Sequence, residues 1–152
     1  MNDCIFCKII AGELPSRIFW EDENHIALLT PFPNTPGFTV VITKDHLPSY
    51  VAALSTEQFT ALFNAAKMIC KHLDDRLGTK RTGIIAEGMG INHAHVKLIP
   101  MHGIPEGDWV KIESNIKHYT KEYLGYISSH DGPNASDIEL DNIYNILKSN
   151  TK

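Results

Sequence analysis

The chain is 152 residues long, 43% hydrophobic and 21% charged, which fits one domain with its own core and excludes a disordered chain or a fibrous repeat. Lys plus Arg number 14 and Asp plus Glu 18, so the formal net charge of −4 excludes the broad basic surface that binds nucleic acid irrespective of sequence. No apolar run approaches the roughly 18 residues that cross a bilayer, and the first residues lack the basic start and apolar stretch of a signal peptide. The expectation is therefore a cytoplasmic protein with no membrane partner.

Residues 4–11 read as a short helix stopped by Gly12 and Pro15, and they carry Cys4-x-x-Cys7. With three cysteines, an odd number, and a reducing compartment expected, a disulfide framework is disfavoured. The pair is either a redox motif or half of a zinc site. Arg17 to Trp20 and His25 to Leu29 are apolar segments separated by Glu21-Asp22-Glu23-Asn24, the punctuation of a hairpin. Thr30 to Gly37 holds three prolines and is a loop. Phe38 to Thr43, rich in Thr, Val and Ile, is the next strand and ends at Lys44-Asp45-His46.

The longest helix is predicted from Thr56 to Leu77. Ser55 and Gln58 form a capping box, and Phe59, Leu62, Phe63, Ala66, Ile69, Leu73 and Leu77 hold a helical stripe that Gly78 stops. Cys70 falls inside that pattern and reads as a small core residue. Thr82 to Ala86 and His93 to Ile99 are two further strands, joined by Glu87-Gly88-Met89-Gly90-Ile91-Asn92. Strands, one long helix, then strands again argue for an α+β fold with an antiparallel sheet of about five strands. Beyond Trp109 the pattern weakens. Ile112 to Leu124 is mixed, Tyr126 to Ser128 reads as a strand, and Asp131 to Asn134 as a turn. Ser136-x-x-Glu139 caps a last helix carrying Ile143, Ile146 and Leu147. The expected organisation is one domain over residues 1–109 with a C-terminal extension, 110–152, packed on it.

The chemistry concentrates in the last strand. With period-two alternation His93, His95 and Lys97 share one face, and Ala94, Val96 and Leu98 the other. The second is an ordinary core face. The first aligns two imidazoles and an ammonium, which cost on the order of several kcal/mol to bury unpaired. An isolated His-x-His would read as a solvated strand face, and it is the surrounding motifs that point further.

His93-Ala94-His95-Val96-Lys97-Leu98-Ile99-Pro100 resembles the signature of the histidine-triad (HIT) family, alternating His with apolar residues before a Pro. Ile5-Phe6-Cys7-Lys8-Ile9-Ile10, followed by Gly12 and Leu14-Pro15-Ser16, resembles the start of bacterial members. Pro36-Gly37 before an apolar strand, and Lys44-Asp45-His46, fall where that family places them, so the resemblance runs in order over about residues 4–105.

The resemblance implies a HIT-like nucleotide-binding domain over residues 1–109, a homodimer, and an enzyme in which His95 attacks an α-phosphate. The intermediate is a nucleotidyl-histidine, and the implied substrates are nucleoside phosphoramidates or dinucleoside polyphosphates, with purines favoured by family habit. Imidazole suits the role: its pKa near ~6.5 leaves a neutral fraction at pH 7, and it attacks without adding negative charge. A backbone carbonyl holding the far ring nitrogen as N–H would fix the reactive tautomer. Bacterial members also carry zinc, and the corresponding ligand positions here are Cys4, Cys7, His46 and His93. Such a closed Cys2His2 set suits a structural ion. No organic cofactor is implied.

The sequence departs from the family as a divergent branch. Lys97 stands where the third histidine would help bind phosphate, and supplies a point charge rather than an imidazole. The usual phosphate loop is reduced to residues 87–92, leaving the backbone around Gly90 and the Asn92 amide as donors. Thr30 matches the residue that holds the ribose hydroxyls, Phe38 replaces the His that commonly follows the Pro-Gly pair, and Phe6, Ile9 and Pro31 match the base pocket. His102 and Trp109 are weaker candidates, for facing the leaving group and for closing a pocket. His25, His72, His118 and His130 are background. Two other functions stay open at this point. One is a nucleotide-binding sensor or adaptor that has lost turnover, which Lys97 and the reduced loop favour. The other is a mononuclear metalloenzyme using His93, His95 and Glu87.

Overall fold

Five strands make one sheet: β1 (Arg17–Glu21), β2 (His25–Leu29), β3 (Thr39–Thr43), β4 (Thr82–Ile85) and β5 (His95–Pro100). They lie in the order β1-β2-β3-β5-β4, and every neighbouring pair is antiparallel. Helix α1 (Ile5–Ile10) precedes the sheet, and helix α2 (Thr56–Leu77) joins β3 to β4 after a 3-10 turn at Val51–Ala53. This computed structural model describes residues 3–105, 112–128, 136 and 138. The chain divides into two units, Met1–Asp108 and Trp109–Lys152.

The α+β class and the antiparallel five-stranded sheet are as the sequence predicts. Alternation along the central strands sends side chains to opposite faces. Ala27, Val41, Val96 and Leu98 pack against Leu62, Ala65, Ala66, Ile69 and Leu73 of α2. Ile26, Leu28, Val40 and Ile42 point the other way and enclose Phe6 of α1, with Ile9 and Ile91 at the margin. Covered on both faces, all five residues of β3 are buried. Its alternation is therefore invisible in burial, although it still decides which helix each residue meets.

Helix α2 has the predicted bounds because its ends are settled locally. The Ser55 hydroxyl accepts from the Gln58 amide at 3.2 Å, the Gln58 side chain accepts from the Ser55 amide at 3.0 Å, and Gly78 closes the helix at φ +66°. The stripe is shorter than its sequence: Phe59 and Leu77, at the two ends, are exposed. Phe59 stacks instead on Phe63, with ring centroids 4.4 Å apart.

Two expectations are corrected. Strand β5 begins at His95, because the backbone of the preceding residues is held elsewhere: His93 N–H donates to Ile91 and Ala94 N–H to Leu47, both at 2.9 Å. His93 thus sits in the bend before the strand. Tyr126 to Ser128 forms no strand, and residues 112–128 are exposed. Trp109, His130, the turn at Asp131–Asn134 and the last helix beyond Ile138 lie outside the described residues; Ile138 itself is helical.

Candidate active site and metal centre

Cys4 immediately precedes α1 and Cys7 lies one turn into it, so a helical spacing of three puts both sulfurs on one side. They face His46, from the loop after β3, and the buried His93. Cys7 Sγ is 3.2 Å from His46 Nδ1, and His93 Nδ1 is 3.5 Å from Cys4 Sγ and 3.6 Å from Cys7 Sγ. The ring of His93 is oriented from behind. Its Nε2–H donates to the Thr43 carbonyl at 2.7 Å, which leaves Nδ1 as the bare nitrogen turned to the sulfurs.

The four ligand atoms lie within 4.8 Å of one another. A tetrahedral zinc with sulfur and nitrogen ligands spans edges of roughly 3.3–3.8 Å, so small side-chain movements close the set. The donor set fits: two thiols and two imidazoles with no carboxylate is zinc-type chemistry. Burial, then the hydrogen bond and charge of Cys4, push the Cys7 thiol up from its ordinary value. Burial lowers the pKa of His93; the Thr43 carbonyl opposes this, while His46 and His95 add to it, keeping the ring a neutral donor.

Two residues on, His95 takes the opposite tautomer. It is buried, and its Nδ1–H donates to the His93 carbonyl at 2.7 Å, so Nε2 carries the lone pair. The Phe6 ring meets His93 and His95 edge-on, each at 5.6 Å between centroids, and so joins the cysteine helix to both imidazoles.

His95 borders a cavity of about 670 Å³ that also takes in Phe6, Ile9, Thr30, Gly90 and Lys97, six of the predicted site residues brought together. Pro31 and Phe38 line it as well. The remaining substrate-binding candidate, Asn92, lies instead on a neighbouring cavity of about 370 Å³ beside Cys4 and His46, with Gly90 bordering both. Its Oδ1 accepts from the Ser49 amide at 3.2 Å, which leaves the NH2 group as donor. The loop from Glu87 to Asn92 packs tightly there: a Cβ on Gly88, at φ +69°, would stand 2.6 Å from the Ser49 carbonyl oxygen. Thr30 Oγ1 accepts from the Phe32 amide at 3.2 Å. His102 is exposed and donates to the Pro36 carbonyl at 2.9 Å, away from the cavity lining.

Two residues gain roles that sequence reasoning missed. The Lys97 ammonium pairs with Glu87, whose side chain is mostly buried. Ile85 opposes Lys97 in the β4–β5 ladder, and Glu87 follows two positions later, a signal available only once that register is known. Arg17, at the start of β1, also lines the cavity and makes no ion pair among the described residues. The alternative metal set of His93, His95 and Glu87 does not assemble. Among the described residues the metal-competent cluster is Cys4, Cys7, His46 and His93.

Residues 11–107 match the HIT domain family. "Protein hit" of Bacillus subtilis is 33% identical over 133 residues, 84% of this chain and 91% of that one. Adenylylsulfatase HINT3 of Arabidopsis thaliana is 29% identical over 104 residues, 65% of this chain and 52% of its own length. Among solved structures, a zinc-bound histidine triad family protein from Mycobacterium smegmatis is similar with a TM-score of 0.62 at 25% identity, over 67% of this chain and 77% of that one.

Proposed function

The chain belongs to the HIT family, and from that premise we propose that it is a nucleotide hydrolase or transferase that attacks an α-phosphate through His95. The observation that carries the reading is the 2.7 Å hydrogen bond from His95 Nδ1–H to the His93 carbonyl, which makes Nε2 the lone-pair nitrogen of the neutral ring at the wall of a cavity. The Nε2 lone pair attacks phosphorus, and the bond from phosphorus to the leaving group breaks. The leaving nitrogen or oxygen keeps that electron pair and takes a proton from solvent. Water then attacks the nucleotidyl group on Nε2, the phosphorus–nitrogen bond breaks, and nucleoside monophosphate, a proton and neutral His95 remain.

Phosphate donors on this reading are the backbone around Gly90 and Lys97, with the Asn92 NH2 group offered from the adjoining cavity that Gly90 also borders. Phe6 and Ile9 supply apolar surface for a purine base, and Thr30 a hydroxyl for the ribose. Nucleoside phosphoramidates and dinucleoside polyphosphates are the substrate classes, and the Arabidopsis relative, named an adenylylsulfatase, supports cleavage at an adenylyl group. A homodimer is part of the same reading.

Cys4, Cys7, His46 and His93 would hold a structural zinc, a reading supported by their donor chemistry and by the zinc-bound relative. With four protein ligands such an ion would have no open position, and it would supply cross-linking rather than catalysis. Its ligands tie α1, which carries Phe6, to the segment whose carbonyl orients His95.

Hydrolysis of adenosine 5′-phosphoramidate tests the enzyme reading. His95→Ala lowers kcat by about 1000-fold or more; undiminished turnover in that variant refutes the assignment. A second reading, binding without turnover, is favoured by the pairing of Lys97 with Glu87, which takes part of its charge from phosphate. Tight binding of adenosine monophosphate with no hydrolysis by the wild-type chain would select it.

A further inference from the structure

Among the described residues, the charged side chains that line the cavity are Lys97 and Arg17, and no carboxylate joins them. The charge of Lys97 is nevertheless compensated from behind. Its Nζ donates to Glu87 Oε1, and of the two side chains Glu87 is the less exposed, 12% against 31%. The ladder ends where Ile85 of β4 pairs with Lys97, and Glu87, two residues past the end of that strand, meets the Lys97 ammonium from there. The neighbouring wall is apolar, with Phe6, Ile9, Val40 and Ile91, so the field of Glu87 is weakly screened.

An ammonium has three N–H donors, and pairing with Glu87 leaves two. These are enough for the single negative charge of an α-phosphate amide or diester. Each further phosphate adds negative charge near the Glu87 carboxylate, whose ion-pair partner among the described residues is Lys97. Arg17 lines the same cavity from β1, three strand spacings of about 4.8 Å, or roughly 14 Å, across the sheet from β5, and makes no ion pair with Glu87 among the described residues.

Resting on the reading of His95 as nucleophile, we propose that Glu87 is a specificity-determining residue. Held beside Lys97, it brings the net charge of the phosphate-handling wall close to zero and selects nucleotidyl compounds whose leaving group is neutral or cationic, such as an amine, over those whose leaving group is another phosphate. In the favoured reaction the phosphorus–nitrogen bond breaks, the amine keeps the electron pair and takes a proton from solvent, and water later releases nucleoside monophosphate from His95.

The test is the ratio of kcat/KM for adenosine 5′-phosphoramidate to that for diadenosine triphosphate, measured on the full chain. Wild type favours the phosphoramidate. Glu87→Gln shifts the ratio toward the polyphosphate by about tenfold, mainly through its KM, and the shift shrinks as salt rises from 0.05 to 0.5 M. Lys97→Gln, which leaves Glu87 unopposed, moves the ratio the other way, and the double variant returns it toward wild type. General damage to the fold lowers both substrates together and does not produce opposite shifts. A ratio unchanged in Glu87→Gln, or both single variants moving it in one direction, overturns the proposal while leaving His95 in its role. If wild type hydrolyses neither substrate, the reading of His95 fails and the proposal falls with it.

Discussion

The carbonyl oxygen of His93 has lone pairs and no proton, so the His95 nitrogen that meets it at 2.7 Å must be the one that carries hydrogen. The same logic runs in reverse at His93, where the Thr43 carbonyl takes Nε2–H and frees Nδ1 for the sulfurs. Two histidines two residues apart therefore hold opposite tautomers, one suited to attack and one to ligation. A third histidine has a structural partner: Asp22 accepts from the His25 amide at 2.6 Å and the Asn24 amide at 2.8 Å, and meets His25 Nδ1 at 3.1 Å. Burial alone would raise the Asp22 pKa, but those two amides and the His25 ring outweigh it and hold the carboxyl below its ordinary value. A depressed carboxylate contributes stability above its unfolded pKa and loses it as pH falls through the lower folded one. Asp22→Asn should therefore cost less than about 1 kcal/mol at pH 7, since Asp22 is about a third exposed, and the difference shrinks as pH falls below the ordinary aspartate value of ~3.9 through the lower folded one. Urea unfolding of both proteins at pH 7, 5 and 3 checks this, and a gap that widens in acid would contradict it.

Cap chemistry is local, and so the bounds of α2 were legible from Ser55, Gln58 and Gly78 alone. Ser55→Ala removes one member of the capping box and should lower stability by about 1 kcal/mol and the melting temperature by about 2–6 °C. Thermal unfolding followed by circular dichroism measures it, and an unchanged midpoint would mean the box contributes nothing. The start of β5 was less legible, since His93 and Ala94 are held by Ile91 and Leu47, contacts that no alternation pattern contains. The strand expected at Tyr126 to Ser128 rested on residue type without a partner strand, and those residues are exposed. Sequence motifs brought Phe6, Ile9, Thr30, Gly90, His95 and Lys97 to one cavity, because strand alternation and loop punctuation position them. The Lys97–Glu87 pair stayed hidden because it depends on the register between β4 and β5.

At the scale of the molecule, two clusters cover opposite faces of one sheet, and the α1 side carries both the metal-competent residues and the cavity. A net charge of −4 gives little long-range attraction for phosphate, so binding on this account is made by donors within a few ångströms of His95. With zinc bound, the cysteine pair would staple the first helix to the segment that leads into β5. The purified chain should hold one zinc, and chelation should lower the melting temperature by about 5 °C or more, as loss of a ligand bound only to the folded state requires. Zinc-free protein with the same melting temperature would remove the staple from the account. The claim on which most depends is the nucleophile, and it is tested by mass spectrometry of peptides from protein quenched during turnover of adenosine 5′-phosphoramidate. The account predicts one adenylyl group on the peptide from residues 93–97, assigned by fragmentation to His95 and absent in His95→Ala. An adenylyl group on any other residue, or full turnover by His95→Ala, would contradict it.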